Sequence, residues 1–173
     1  MKPSAAALGK KGTGVEPAPL RVWLVRHAHA TEAAEDAVRP LSKRGRGQVR
    51  SLARFLRTSD VFRPAAIWHS PLVRSRETGE LLVRRLALEA SLIEVAGLTP
   101  ADDVCVVARR LARLRDSVAI VGHEPHLSAL ASLLITGAAK PAVFVLKKCA
   151  ALALERGDGR WRVQWLVSPE VIA

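Results

Sequence analysis

The chain has no tyrosine, and aromatic residues make up only 4% of its 173 positions. Single-strand nucleic-acid binders stack bases on aromatic side chains, so this scarcity argues against that class even though the chain is strongly basic. Cysteine is almost as rare. Cys105 and Cys149 lie far apart, without metal-like spacing and without a neighbouring histidine, which excludes a disulfide framework, a zinc knuckle and a thiol nucleophile. Two reduced thiols, buried as small hydrophobes, are expected. No apolar run approaches the roughly 18 to 20 residues of a membrane-spanning helix, and residues 1–19 lack the apolar centre of a signal peptide. These absences predict a cytoplasmic protein with no membrane association.

What is present is a chain that is 49% hydrophobic, enough for one domain with a proper core. The formal net charge of +11 favours acidic partners such as phosphates. Runs such as Arg50, Arg54 and Arg57, or Arg109, Arg110 and Arg113, fall on the outer faces of predicted helices and read as solvated surface. Residues 1–19 mix Lys, Gly, Ala, Pro and Ser without periodicity and read as a flexible leader, followed by a single domain over 20–173. In that domain β-type runs at 20–26, 65–69, 92–95 and 118–122 alternate with amphipathic stretches at 43–57, 72–87, 101–115 and 125–135. Such alternation predicts an α/β fold, a three-layer α/β/α sandwich around a mostly parallel sheet. Further strands are expected at 143–146, 150–154 and 161–166, the last two joined at Arg156-Gly157-Asp158-Gly159 into a C-terminal hairpin.

The chemistry gathers at strand ends. Arg26-His27-Ala28 closes the first apolar run and Gly122-His123-Glu124 closes the run from Val118, so a parallel sheet would bring both histidines to its carboxyl edge, where open α/β folds bind ligands. The run at 65–69 leads into Ser70-Pro71-Leu72-Val73-Arg74 and delivers another arginine there. A neutral imidazole can attack phosphorus in line while fixed guanidinium groups hold the phosphoryl oxygens, and Arg26, Arg74 and Arg39 are suited to that clamp. Taken alone, an Arg-His pair is more often incidental, and His123 standing alone is as well read as a turn or cap residue. Their combination carries the argument. His126, one turn into the following helix, reads as structural or peripheral.

These residues and their order resemble the histidine phosphatase superfamily, in its small SixA-like branch of bacterial phosphohistidine phosphatases. The resemblance runs from about Leu20 to Val171. It rests on Leu24-Val25-Arg26-His27, Val38-Arg39-Pro40-Leu41-Ser42, Ser70-Pro71-Leu72-Val73-Arg74-Ser75-Arg76-Glu77-Thr78, Leu98-Thr99-Pro100, Val121-Gly122-His123-Glu124-Pro125 and Trp165-Leu166-Val167-Ser168-Pro169. It implies a phosphoglycerate mutase-like fold and a phosphatase that needs no metal or other cofactor. By the same resemblance His27 is the phosphorylated nucleophile, Arg26, Arg74 and His123 complete the phosphate pocket, and Arg39 adds a phosphate contact. A phosphate or sulfate ion should fit that pocket.

Two positions depart from the family pattern. Ala28 stands where the family has glycine, which requires a negative φ there. His29 stands where many relatives carry an acid, and it either orients substrate or sits at the rim. No carboxylate aligns with the general acid that phosphomonoesterases of the family use. Asp36, Glu35 and Glu32 are the candidates, with Glu124 behind them, and each by itself reads as solvated acidic surface. A missing acid favours phosphohistidine, whose imidazole leaves phosphorus more easily than an alkoxide does. The expected substrate is thus a phosphorylated protein, such as a histidine phosphotransfer domain of a signalling relay. A small phosphate ester is the alternative, and a binding module without turnover is the reading from another class. Metal-dependent hydrolysis, suggested by the H-x-H look of His27-Ala28-His29, is disfavoured by Arg26 and Arg74, which would set fixed cations beside a divalent ion.

Overall fold

In a computed structural model, residues 19–172 are described. The leader expected over 1–19 therefore lies outside the described residues, Pro19 apart. The strands are β1 (Leu20–Arg26), β2 (Ala66–His69), β3 (Ser91–Glu94), β4 (Val118–Gly122), β5 (Ala151–Gly157) and β6 (Arg160–Val167). The helices are α1 (Lys43–Ser59), α2 (Val73–Leu86), α3 (Val104–Ala112), α4 (His126–Thr136) and the short α5 (Pro169–Ile172).

One sheet runs in the order β3-β2-β4-β1-β5-β6. Its first four members are parallel, but β5 pairs antiparallel with β1 and β6 antiparallel with β5. The sheet is therefore mixed rather than mostly parallel, because the C-terminal hairpin supplies a full third of it, within the expected α/β class. The hairpin turn is Asp158-Gly159, with φ of 51° and 72°. Two left-handed residues in a two-residue loop match the right-handed twist of the flanking strands.

Side chains alternate across the sheet. On one face Trp23, Val25, Ile67 and Val121 pack with Val49, Leu52 and Leu56 of α1 and Leu82 of α2. On the other, Val22, Leu24 and Ile120 pack with Val107 and Leu111 of α3 and Leu127 and Leu130 of α4. Covering both faces explains why β1 and β4 read as continuous apolar runs rather than alternating ones. It also sends the chain out of β1 toward one face and out of neighbouring β4 toward the other. A crevice opens between those two strand ends, which is the switch point where such sheets bind ligands.

Two local expectations are corrected. Residues 143–146 form no strand: the Val143 amide donates to Ser132 Oγ at 2.9 Å and the Leu146 carbonyl accepts from Arg26, so the backbone is satisfied by side chains in place of a ladder. Cys149 is buried as expected, whereas Cys105 is exposed, since the inward stripe of α3 is taken by Val104, Val107 and Leu111.

Candidate active site

His27 follows directly on β1, and its amide donates to the Gly122 carbonyl at 2.9 Å, locking the end of β1 to the end of β4. Its ring is buried, with Nδ1 2.8 Å from the Ala28 carbonyl. A carbonyl only accepts, so Nδ1 carries the proton and Nε2 keeps its lone pair. His123 follows β4 on the other side of the crevice, and the two imidazole centroids are 4.9 Å apart. The hydroxyl of fully buried Ser70 meets His123 Nε2 at 2.5 Å. With that hydroxyl donating, the imidazole proton sits on Nδ1, which is buried and has no hydrogen-bond partner among the described residues.

Both rings are held neutral. Burial first, then the charges of Lys148 and the neighbouring His123, push His27 down to about 2; burial, then Arg74, pushes His123 down to about 3. Below the ordinary histidine value near 6.5 the unfolded chain takes up protons that the native fold refuses. The stability this represents is present above pH 6.5 and is lost as pH falls toward those depressed values. We expect unfolding free energy to drop on going from pH 6.5 to 5, with a slope that approaches about 1.4 kcal/mol per pH unit for each such imidazole at the acid end. Urea titrations across that range check this, with His123→Asn flattening the slope; a parent whose stability is flat there contradicts the buried neutral pair.

The cations come from three directions. Arg74, in the first turn of α2, is buried, and Thr78 beside it ties that turn to the strand end by accepting from the Ala28 amide at 3.1 Å and donating to the Arg74 carbonyl at 2.7 Å. Its guanidinium donates to the Asp36 carbonyl oxygen at 2.7 Å and to Asp36 Oδ2 at 2.9 Å. Arg39 donates to Asp36 Oδ1, to Glu32 Oε1 and to the Thr31 carbonyl. The Asp36 carboxylate thus bridges two guanidinium groups, as a phosphoryl group would. The hydrogen bonds from Arg74 and then Arg39 lower its pKa, so it is ionised and holds no proton to donate. Arg26 spends one amino group on the Leu146 carbonyl at 2.8 Å, and its Nε is buried without a partner among the described residues.

The structure brings Arg26, His27, Arg74 and His123 to one carboxyl-edge crevice, with Arg39 at the rim. It does not bring all the remaining candidates there. Glu35 is exposed, Glu32 pairs with Arg39, and Glu124 accepts from Ser128 Oγ at 2.7 Å. His29 turns toward the start of α1, where Nδ1 meets Ser42 Oγ at 2.8 Å. His126 is buried in α4. Among the described residues no three His, Cys, Asp or Glu side chains are grouped to hold a metal ion. A separate concavity of about 530 Å³, lined by Phe62, Pro64 and Leu88 among others, lies at the amino edge of the sheet, away from these residues.

Comparison with known proteins decides the family. Residues 22–98 match the histidine phosphatase superfamily (branch 1). Phosphohistidine phosphatase SixA of Escherichia coli (strain K12) is 31% identical over 156 residues, which is 87% of this chain and 94% of that protein. The chain belongs to the histidine phosphatase superfamily. The protein histidine phosphatase SixA, solved in complex with tungstate, superposes on it with a TM-score of 0.81 at 28% identity, covering 89% of this chain and 100% of that one. The alpha-ribazole phosphatase from Shigella flexneri shares the fold, with a TM-score of 0.69 at 19% identity over 87% of this chain and 97% of that one.

This histidine phosphatase of the SixA-like branch is therefore a hydrolase of phosphorylated substrates. Ala28 is compatible with its fold because position 28 is not among the positive-φ residues. Two residues at the crevice were missed by sequence reasoning. Ser70 lay inside a recognised motif without a role, and its contact with His123 spans 53 positions. Lys148 has its Nζ 3.4 Å from His27 Nε2. Its only sequence signal is a basic pair after an apolar run, which reads as ordinary surface.

Proposed function

We propose that this enzyme dephosphorylates phosphohistidine on a partner protein through a phosphoryl group carried on Nε2 of His27. The observation that carries the reading is the pairing of a neutral, Nδ1-protonated His27 with a ring of cations whose nearest carboxylate, Asp36, is ionised. A substrate imidazole protonated on its other nitrogen leaves as neutral imidazole when its P–N bond breaks and the P–Nε2 bond forms. No acid is required. His27 keeps its Nδ1 proton throughout, and the Ala28 carbonyl stabilises the imidazolium charge of the phosphorylated ring. Water then forms a P–O bond as P–Nε2 breaks, its proton passing to inorganic phosphate and solvent. Arg26, Arg39, Arg74 and His123 act on the equatorial oxygens, where preorganised donors are worth several kcal/mol. The 31%-identical relative, a phosphohistidine phosphatase by name, supports the substrate class. Free thiols at Cys105 and Cys149 fit a cytoplasmic setting.

A side-by-side assay of a phosphohistidine protein, a phosphohistidine peptide and an aryl phosphate tests this. The phosphohistidine protein is expected to have the highest kcat/KM, and Asp36→Asn to cost less than about threefold with it, since general acids contribute their usual 10² to 10⁴-fold only where the leaving group needs a proton. A parent that prefers alkyl phosphomonoesters, with a large loss in Asp36→Asn, makes Asp36 the acid and a small phosphate ester the substrate.

A further inference from the structure

One cation in contact with the reacting atom is picked out by neither the sequence motifs nor the family pattern. Lys148 lies in the segment between α4 and β5, half-buried, with Nζ 3.4 Å from His27 Nε2. Its position is built rather than incidental. The Ala150 amide donates to the Lys147 carbonyl at 2.9 Å, closing a turn around Lys148 and Cys149. Cys149, fully buried, sits in that turn with φ of 60° and donates its amide to the His27 carbonyl; the Ala150 carbonyl accepts from the Arg26 amide at 3.0 Å, and the Leu146 carbonyl accepts from the Arg26 side chain. A left-handed conformation is unfavourable for a non-glycine residue and persists only where surrounding contacts over-determine it. Here those contacts fasten the lysine to the backbone of Arg26 and His27.

The charges around Lys148 point the same way. Its neighbour Lys147 is paired with Glu170, whereas Lys148 makes no carboxylate salt bridge among the described residues. Facing it are Arg26, Arg39 and Arg74, the two neutral imidazoles of His27 and His123, and the carboxylate of Asp36, while Glu32 pairs with Arg39 and Glu124 exerts its charge on Arg26. These four cations outnumber the carboxylates set against them and are stabilised by a further anion, and the atom that Lys148 touches is the one to which a phosphoryl group would bond. Resting on the reading of His27 as the phosphorylated residue, we propose that Lys148 is a catalytic residue: it donates to the Nε2 lone pair in the resting enzyme and passes that hydrogen bond to a phosphoryl oxygen during transfer to and from His27. No proton changes hands in this step. The P–Nε2 bond forms as the substrate bond to phosphorus breaks, the electron pair leaves with the departing group, and the ammonium stays protonated while charge on the equatorial oxygens is neutralised.

Burial, then the charges of Arg26 and Arg74, lowers Lys148 to about 8, so its ammonium is lost as pH rises through that value. The test compares the parent with Lys148→Met and Lys148→Arg, using a phosphohistidine protein and an aryl phosphate from pH 6 to 10. Lys148→Met is expected to lower kcat/KM by about 10² to 10³-fold for both substrates, the usual loss for one oxyanion donor, and to slow phosphorylation of His27 in rapid-quench experiments. Lys148→Arg should recover activity to within about tenfold and shift the alkaline fall in kcat/KM from near pH 8 to above pH 9, because a guanidinium stays charged. A Lys148→Met enzyme within threefold of the parent, or an alkaline limb unmoved in Lys148→Arg, overturns the assignment. Label trapped on a residue other than His27 in the parent is a different failure, that of the site reading on which this one rests.

Discussion

His27→Ala is expected to abolish turnover, lowering kcat by about 10⁴-fold or more with every substrate, because among the described residues no other imidazole in the crevice offers an uncommitted Nε2. The buried ring offers one lone pair, at Nε2, since Nδ1 is committed to the Ala28 carbonyl. His123 is 4.9 Å away, centroid to centroid, but Ser70 already holds its Nε2, so it cannot readily substitute. Rapid quenching of the parent with a labelled substrate should leave phosphate on His27, labile in acid and stable in base, and chelators should leave turnover intact. Label on another residue, or activity lost in EDTA and restored by zinc, would sink the mechanism.

Much of this crevice was legible because its parts sit at the ends of strands. The apolar runs of β1 and β4 are short, continuous and flanked by polar residues, and burial on both faces of a sheet is what makes them so. Their parallel pairing, Arg26 opposite Gly122, then brings His27 beside His123. What periodicity does not encode is which tertiary partner a side chain finds. Residues 143–146 have β-type composition, yet Ser132 and Arg26 claim their backbone groups, and the resulting irregular segment is what carries Lys148 to His27. A lysine after an apolar run looks like surface until that segment is seen anchored to β1. The solvated acidic reading of Asp36 was half right for a similar reason. Its carboxylate is largely exposed, at 61%, but one edge faces the buried Arg74 across 38 positions of sequence. The mixed sheet follows from the same limit, since a hairpin signal fixes two strands to each other and not the direction in which they join β1.

Arg74→Ala is expected to lower kcat/KM by about 10² to 10³-fold for phosphohistidine and aryl phosphate alike, because both present the same phosphoryl oxygens to the same forked donor. The side chain is only 6% exposed, and in the resting enzyme both of its amino groups are held by Asp36. That arrangement allows two explanations of such a loss. Either the guanidinium acts on the phosphoryl group, with the carboxylate occupying its place until substrate arrives, or it merely anchors the Asp36 loop. A double-mutant cycle with Asp36→Ala separates them. If Arg74 holds phosphate, its removal should cost nearly the same in the Asp36→Ala background, and Asp36→Ala alone should bind inorganic phosphate more tightly, since a competing anion is gone. If Arg74 acts only through Asp36, the second substitution should cost nothing once the first is made. Arg74→Lys adds a further arm: a single ammonium cannot reproduce two parallel donors, so it should restore only part of the lost activity. Full recovery with lysine would reduce the role of Arg74 to that of a point charge.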